Sequence, residues 1–311
     1  METMSKNAIS TILSKLFGSQ NNVEQFPVII HIENTNICNA HCTMCPRDEM
    51  DRPQGVMGME LYGKILDEVT IHKNVRELHL HGFGEPLIDK NLVEKIRLAK
   101  QGNIPFVYFV TNASLLTPEL SEKLVASGLD SFKISFYGHD SASYEEVHRG
   151  LEYQRTVDNI TRFIELRDQR GGGPSLRLQF MDMQGDGQYT EKFVSFWKGR
   201  LNKTFGDSIY LSGLHSWSTE SSAVMKGPAH LSCLWINRDM QILWDGRVVP
   251  CCYDFNGVQV LGDVNFDTIG SIWTGEKYLA LRQAFKDGNV ATIPLCSKCE
   301  HYGFFSAKKI L

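Results

Sequence analysis

The sequence predicts an α/β fold: six strand-and-helix units forming a partial (β/α)6 TIM-like barrel, followed by a small α+β extension. Short apolar strand-like runs alternate with amphipathic helical stretches over 28–213, and the alternation stops there. The eight cysteines also fall into two groups, within 38–45 and 233–299. We therefore divide the chain into an N-terminal helical extension (1–27), the barrel (28–213) and the C-terminal extension (214–311).

Six runs rich in β-branched and aromatic residues are the predicted strands. They are VIIHIE (28–33), ELHLHG (77–82), FVYFVT (106–111), FKISFY (132–137), LRLQFM (176–181) and SIYLSG (208–213). Helical stretches lie between them, and SASYEEVHRG (141–150) is one of these. Thr117 and Pro118 begin one of these helices, which Gly128 ends. Asn91 begins another, which ends at Gly102. Because such units form parallel sheets, we expect the strands to curl into a barrel with the helices outside.

The extension begins with a polar, aperiodic segment and continues into a hairpin. MQILWDGRVVP (240–250) should turn at Asp245 and Gly246, because Asp-Gly is the strongest short hairpin signal. Another strand, VQVLGDV (258–264), and a helix, EKYLALRQAFKDG (276–288), are predicted to follow.

Composition excludes several classes of protein. Apolar residues make up 42% of the chain, which excludes disorder as the main state. The net charge of −4 argues against non-specific binding to nucleic acid. No run approaches the ~18 apolar residues of a membrane helix, and the N-terminus has no secretory signal. We expect a cytoplasmic protein without nucleic acid or a membrane as partner.

Two motifs follow the first two strands. CNAHCTMC (38–45) has the spacing C-x3-C-x2-C, and three thiolates are too few for a structural zinc site. They suit an iron–sulfur cluster with one iron left for a ligand from outside the protein, although zinc or chance proximity remains the alternative. HGFGEP (81–86) ends the second strand; its glycines allow close backbone approach, and Pro86 fixes the turn.

Together these motifs resemble the radical S-adenosylmethionine (SAM) superfamily. The resemblance implies that Cys38, Cys42 and Cys45 hold a [4Fe–4S] cluster whose fourth iron is chelated by SAM. Met44 departs from the family pattern, which usually has an aromatic residue there.

The same resemblance implies SAM contacts at the ends of the strands. The backbone of the second motif would receive the SAM amino group, at Gly82, Gly84, Glu85 and Pro86. Polar contacts to the ribose and carboxylate are expected from the next three strands, at Asn112, Ser135 and Gln179. An ordinary turn role for Asn112 and structural roles for the other two residues remain open.

The second cysteine group resembles the SPASM/twitch extension of radical SAM enzymes. The chain ends 12 residues after Cys299 without another cysteine, so it fits the shorter twitch type with one auxiliary [4Fe–4S] cluster. That pattern implies four ligands, Cys233, Cys251, Cys296 and Cys299. A zinc ion on the same thiolates remains an alternative.

Cys252 follows a predicted ligand and is expected to project to another face of a strand. It could be a small buried hydrophobe, a thiol that gives a hydrogen atom to a substrate radical, or a ligand in place of Cys251. Candidates for proton removal lie in the loops after strands five and six, at Asp182 and His215. Trp217 could stack on a sugar-like ring. Ordinary loop or packing roles are the alternatives for these three residues.

The resemblance implies that the reduced cluster splits SAM, giving a 5′-deoxyadenosyl radical that abstracts hydrogen from an unactivated C–H bond. A reductant such as flavodoxin or ferredoxin is implied, together with a small sugar-like or aminocyclitol-like substrate. Dehydrogenation, with the auxiliary cluster as electron acceptor, ranks slightly ahead of epimerisation with Cys252 as hydrogen donor. Peptide modification ranks lower, because only about 27 residues precede the first strand, too few for a leader-peptide-binding domain. A non-catalytic electron carrier or a zinc-binding scaffold would not need the HGFGEP motif beside an incomplete ligand set, so these classes rank lowest.

Overall fold

The computed structural model describes residues 25–181, 187–213, 233–297, 299 and 308–309. The predicted residues Asp182, His215 and Trp217 lie outside the described residues, as does nearly all of the predicted N-terminal extension. Among the helices that are described, none has the length and apolar character needed to cross a membrane.

The strands of the described segments are β1 (Ile29–Ile32), β2 (His41–Cys42), β3 (Glu77–His79), β4 (Phe106–Thr111), β5 (Ser131–Ser135), β6 (His148–Arg149), β7 (Ser175–Met181), β8 (Ser208–Ser212), β9 (Asp239–Ile242), β10 (Arg247–Val249), β11 (Gly262–Asp263) and β12 (Lys308–Lys309). The α-helices are α1 (Met59–Ile71), α2 (Leu92–Gln101), α3 (Pro118–Val125), α4 (Ser141–Val147), α5 (Tyr153–Gln169), α6 (Gln188–Lys198), α7 (Leu234–Arg238), α8 (Ile269–Trp273), α9 (Glu276–Lys286) and α10 (Pro294–Ser297).

The main sheet has the order β11-β10-β9-β1-β3-β4-β5-β7-β8-β12. Its centre, from β1 to β8, follows the order of the chain, and every pair in it is parallel. This is the predicted partial (β/α)6 barrel, and the predicted fold class is confirmed.

The predicted hairpin forms and extends the barrel sheet. Gly246 adopts a φ of +97° at the turn, and Val248 pairs with Ile242 across it. β9 lies parallel to β1, with Ile29 opposite Asp239, so the extension begins as a seventh parallel strand. The strand expected over 258–264 is reduced to β11, because the Asp254 carboxylate accepts hydrogen bonds from the backbone amides of Val258 and Gln259.

Two helix boundaries differ from expectation. The stretch SASYEEVHRG was expected to be helical throughout, but α4 ends at Val147 and the next two residues form β6. β6 pairs with β2, so its backbone hydrogen bonds hold the first cysteine loop instead of continuing the helix. α3 is capped by Thr117 as expected, but it ends at Val125, before Gly128.

Alternation along the strands separates an apolar outer face from a polar interior. The outward side chains pack against the helices and are fully or almost fully buried, including Ile30, Leu78, Phe109, Phe132, Leu178 and Ile209. The inward side chains are mostly polar, including His31, His79, Tyr108, Lys133, Gln179 and Asp239. The barrel interior is therefore built as a binding cavity, since an apolar packed core would need the opposite pattern.

Candidate active site

The barrel encloses a cavity of about 560 Å³, within the size range of small-molecule sites. The cysteines of the first group line it together with the motif residues Gly82, Gly84 and Glu85. Cys251 and Cys252 also line it. One cavity is therefore lined by cysteines of both groups.

The first cysteine loop is held by hydrogen bonds to neighbouring strand ends. The Glu85 amide donates to the Ile37 carbonyl oxygen at 2.9 Å. On the other side of the loop, Asn112 Nδ2 donates to Asn39 Oδ1 at 3.1 Å. Asn39 Nδ2 in turn donates to Ser114 Oγ at 2.9 Å. These contacts fix the loop independently of its thiols.

Gly84 of the second motif is required by the backbone that leads into this loop, and Gly82 is required by the side chain of Glu33. A Cβ on Gly84 would lie 2.4 Å from the Thr35 carbonyl oxygen, and one on Gly82 would lie 2.4 Å from Glu33 Cγ. The expected reason for these glycines was close approach of a ligand. The structure adds close approach of the protein's own cysteine loop, which a side chain at Gly84 would displace.

Glu85 joins the ends of two strands. Its carboxylate accepts hydrogen bonds from Thr111 Oγ1 at 2.6 Å, the Asn112 amide at 2.7 Å and the Leu87 amide at 3.1 Å. Burial raises its pKa to about 7, while these hydrogen bonds oppose the shift. Pro86 begins the short 3-10 turn that follows.

The other predicted SAM contacts have different surroundings. Asn112 is engaged in the turn, because its Oδ1 accepts hydrogen bonds from both the Ser114 amide and Ser114 Oγ. Ser135 and Gln179 face the cavity from neighbouring strands, and Gln179 Nε2 donates to Ser212 Oγ at 2.7 Å. The contacts favour a turn role for Asn112, although Asn112 lines the same cavity as Ser135 and Gln179.

His148 contacts the first cysteine group and was missed by the sequence reasoning. Its Nε2 accepts a hydrogen bond from the Tyr137 amide at 3.0 Å, so the ring proton of the neutral imidazole is on Nδ1. Nδ1 lies 3.2 Å from Cys42 Sγ and donates to it. Burial lowers the pKa of His148 to about 3, which keeps the ring neutral. No local motif marks this residue, since β6 brings it to Cys42 from 106 residues away.

The fold also assembles the second cysteine group. Burial raises the pKa of Cys233, Cys251 and Cys296, and neighbouring thiols of the group raise it further. Cys299 acts in this way on Cys233, the N-cap residue of α7. Cys233 and Cys296 act on Cys251. The four predicted ligands thus come from three separate parts of the chain to one place.

The spacing of the sulfur atoms can be compared with that around a single zinc ion. Thiolates bound to one zinc ion at about 2.3 Å lie about 3.8 Å apart. Within the described part of the chain, three potential ligand atoms come within 4.8 Å of one another only at His31, His79 and His81. Among the described residues, neither cysteine group therefore has three sulfurs that all lie within 4.8 Å of one another.

Cys252 lines the same cavity as Cys251, contrary to the expectation that the two would face different ways. The reason is that β10 ends at Val249, so the cysteines lie in a turn where strand alternation does not apply. Burial raises the pKa of Cys252 to about 12.

Lys133 interacts electrostatically with Cys252 and was also missed by the sequence reasoning. Burial lowers its pKa to about 8, with a smaller opposing effect from Cys252. A lysine in the middle of FKISFY, on the face shared with Ser135, is the signal that could have revealed it.

Comparison with known protein families agrees with this geometry. The family model of the radical SAM superfamily matches residues 32–169, the segment that carries the first cysteine loop and the glycine motif. The chain is a radical SAM enzyme. The SPASM model, an iron–sulfur cluster-binding domain, matches residues 233–300 of this radical SAM enzyme, which supports iron–sulfur over zinc at the second group. Its cofactors are iron–sulfur clusters and SAM.

Two curated proteins are similar to this radical SAM enzyme over most of its length. One is the S-adenosyl-L-methionine-dependent 2-deoxy-scyllo-inosamine dehydrogenase of Niallia circulans, 24% identical, with 88% of this chain and 92% of that protein covered. The other is the tungsten-containing aldehyde ferredoxin oxidoreductase cofactor-modifying protein of Pyrococcus furiosus, 21% identical, with 87% and 86% covered.

Solved structures share the fold. BtrN in complex with AdoMet and 2-DOIA aligns with a TM-score of 0.58 at 20% identity, covering 88% of this chain and 96% of that one. Streptococcus suis SuiB bound to its precursor peptide SuiA aligns with a TM-score of 0.67 at 15% identity, covering 97% and 78%. At these identities the likeness concerns the fold alone.

The hydrogen bond from His148 to Cys42 leads to a first prediction. Hydrogen bonds to cluster sulfurs raise the reduction potential, because they stabilise the more negative reduced state. If the bond contributes about 1 kcal/mol more in the reduced state, His148→Phe should lower the potential by roughly 40 mV. The potential is measured by a redox titration monitored by EPR. The signal used is the one that changes when SAM is added, because it comes from the cluster that binds SAM. His139→Phe, at a histidine that contacts Ser143, is the control; equal potentials in both variants would contradict the assignment.

Proposed function

We propose that this enzyme dehydrogenates a secondary alcohol of a small sugar-like or aminocyclitol-like substrate bound in the barrel cavity. The observation that carries the proposal is a cavity lined by cysteines of both groups and by Lys133, a lysine of pKa about 8. The similarity to 2-deoxy-scyllo-inosamine dehydrogenase along most of both chains supports the same class of reaction.

Two sets of cysteines would hold the clusters. Cys38, Cys42 and Cys45 would bind the cluster that SAM completes. The auxiliary cluster would have four ligands, Cys233, Cys251, Cys296 and Cys299. When bound, these groups and SAM supply abstraction of a hydrogen atom from carbon and an acceptor for one further electron. We further propose flavodoxin or ferredoxin as the reductant.

Lys133 would accept the proton. Conversion of an alcohol to a ketone removes a hydrogen atom from the carbon, and then one electron and the hydroxyl proton. The proton needs a base that is partly deprotonated near neutral pH, and the lowered pKa of Lys133 meets this requirement. The charges that act on its pKa are those of Cys252 and Arg177, and no described carboxylate is among them to hold the proton in place.

Radical epimerisation is the second candidate, and Cys252 is the observation that favours it. Its thiol lines the cavity, and with a pKa of about 12 it keeps its hydrogen at neutral pH. In this alternative, the thiol would return a hydrogen atom to the substrate radical on the face opposite the one from which hydrogen was removed.

The proposal is tested by product analysis with reconstituted enzyme, dithionite, SAM and a panel of aminocyclitols and sugars, beginning with 2-deoxy-scyllo-inosamine. We expect 5′-deoxyadenosine and a ketone in equal amounts. The rate should rise as pH increases through about 8, because Lys133 then loses its proton. Lys133→Met should lower ketone formation about 100-fold and remove this rise.

The matched control is Lys123→Met, which alters an exposed lysine on α3 and should leave the rate unchanged. Deoxyadenosine without a ketone from any alcohol of the panel would contradict dehydrogenation. Formation of S-adenosylhomocysteine alone would indicate methyl transfer instead.

A further inference from the structure

Three histidines inside the barrel take no part in the proposed reaction. His31 lies on β1, His79 on β3, and His81 just after β3. One nitrogen from each ring lies within 4.8 Å of the other two. The ring centroids of His31 and His79 are 4.5 Å apart, and those of His79 and His81 are 5.7 Å apart.

Two of these rings already have the carboxylate partners that metal-binding histidines usually have. His31 Nε2 lies 3.1 Å from Asp239 Oδ2, and His79 Nε2 lies 2.7 Å from Glu77 Oε2. Such a carboxylate fixes the ring and its tautomer, with the proton on the nitrogen that it contacts. Nδ1 of each ring is then the nitrogen with a free lone pair.

The third ring has an unsatisfied buried nitrogen. His81 Nδ1 is buried and has no hydrogen-bond partner. Leaving a buried polar atom unpaired is unfavourable, so this nitrogen would be stabilised by a further group. Burial, followed by the effect of His79, lowers the pKa of His81 well below its usual value, which leaves the ring as the neutral form that binds metals.

We propose that His31, His79 and His81 bind one divalent transition-metal ion of the zinc type, with an open coordination position toward the cavity. Imidazole nitrogens around one zinc ion lie about 3.4 Å apart, so small side-chain rotations close the site from its present spacing. His79 packs against Tyr108 and His31 against Trp235, with ring centroids 4.9 and 4.7 Å apart, which limits other movements. Three protein ligands and an open position are the arrangement of a catalytic zinc site.

The experiment uses the full chain, reconstituted with iron and sulfide so that the cysteine groups are filled, then incubated with zinc sulfate and desalted. We expect one zinc per chain, measured by mass spectrometry of the metals. Zinc K-edge absorption should show nitrogen or oxygen neighbours at about 2.0–2.1 Å with imidazole scattering, and no sulfur at about 2.3 Å.

Variants separate this site from adventitious binding. His81→Gln should lower zinc affinity at least 100-fold. Glu77→Gln keeps all three histidines and should lower it about 10–100-fold. His72→Gln, at a histidine stacked on Phe26 beyond the end of α1, should bind zinc like the wild type. Iron content and melting temperature report whether each variant is folded.

Absence of bound zinc in the wild type, sulfur ligands at about 2.3 Å, or unchanged affinity in folded His81→Gln would each overturn the proposal. All three results leave the proposed dehydrogenation intact, because that is judged from products and from Lys133.

Discussion

Replacement of Cys38, Cys42 and Cys45 together by alanine should abolish SAM cleavage and lower the iron content from about eight to about four per chain. Three thiolates are the whole protein ligand set proposed for the first cluster, so no partial site remains. The auxiliary group is unaffected, since its ligands come from other parts of the chain. Iron analysis and release of 5′-deoxyadenosine in the presence of dithionite measure the two effects.

The structure predicts that this variant still folds. The loop is held by hydrogen bonds from Glu85 and Asn112 and by Thr35 Oγ1, which donates to the Gly55 carbonyl oxygen at 2.8 Å. None of these bonds involves a thiol. The melting temperature of the apoprotein should therefore change little. Zinc in place of iron at the first group of the wild type, or deoxyadenosine release by the variant, would contradict the ligand assignment.

A matched control comes from the second group. Replacement of Cys233, Cys251, Cys296 and Cys299 by alanine should also leave about four irons per chain, but should retain reductive SAM cleavage. The two multiple variants then have similar iron contents, but only the first loses SAM cleavage. Loss of SAM cleavage in both would mean that the clusters do not act separately.

Local sequence patterns were sufficient for the barrel and the cysteine loops. The outer face of each strand must be apolar to pack against helices, so β1, β3 and β4 are visible as short apolar runs. Asp245 and Gly246 fix a turn through their own backbone preferences. These strands and this turn depend on residues that are close together in the sequence, and for that reason they could be predicted.

Contacts between distant segments could not be predicted in the same way. His31 meets Asp239 across 208 residues because β9 joins the sheet beside β1, and no periodicity in either segment indicates that pairing. The meeting of Lys133 with Cys252 likewise depends on how the turn after β10 enters the barrel. Alternation identifies which residues face inward, but only the strand order determines which of them meet.

Replacement of Cys252 distinguishes the two candidate reactions, dehydrogenation and epimerisation. Cys252→Ala should leave ketone formation nearly unchanged if the enzyme is a dehydrogenase, because the proposed proton acceptor, Lys133, and the auxiliary ligands are intact. Turnover of the wild type in D2O should then place no deuterium at the reacting carbon. Products are identified by mass spectrometry and by NMR of that carbon, with Cys252→Ser as a second variant that keeps a small polar side chain.

An epimerase would give the opposite pattern for a definite physical reason. With a pKa of about 12, the Cys252 thiol carries its hydrogen at neutral pH and exchanges it with solvent, so inversion in D2O would place deuterium at the inverted carbon. Cys252→Ala would still release deoxyadenosine, because hydrogen abstraction precedes the return step, but the inverted product would disappear. That pair of results would overturn the proposed dehydrogenation. A ketone without solvent deuterium would leave Cys252 as a cavity-lining thiol without a part in the reaction.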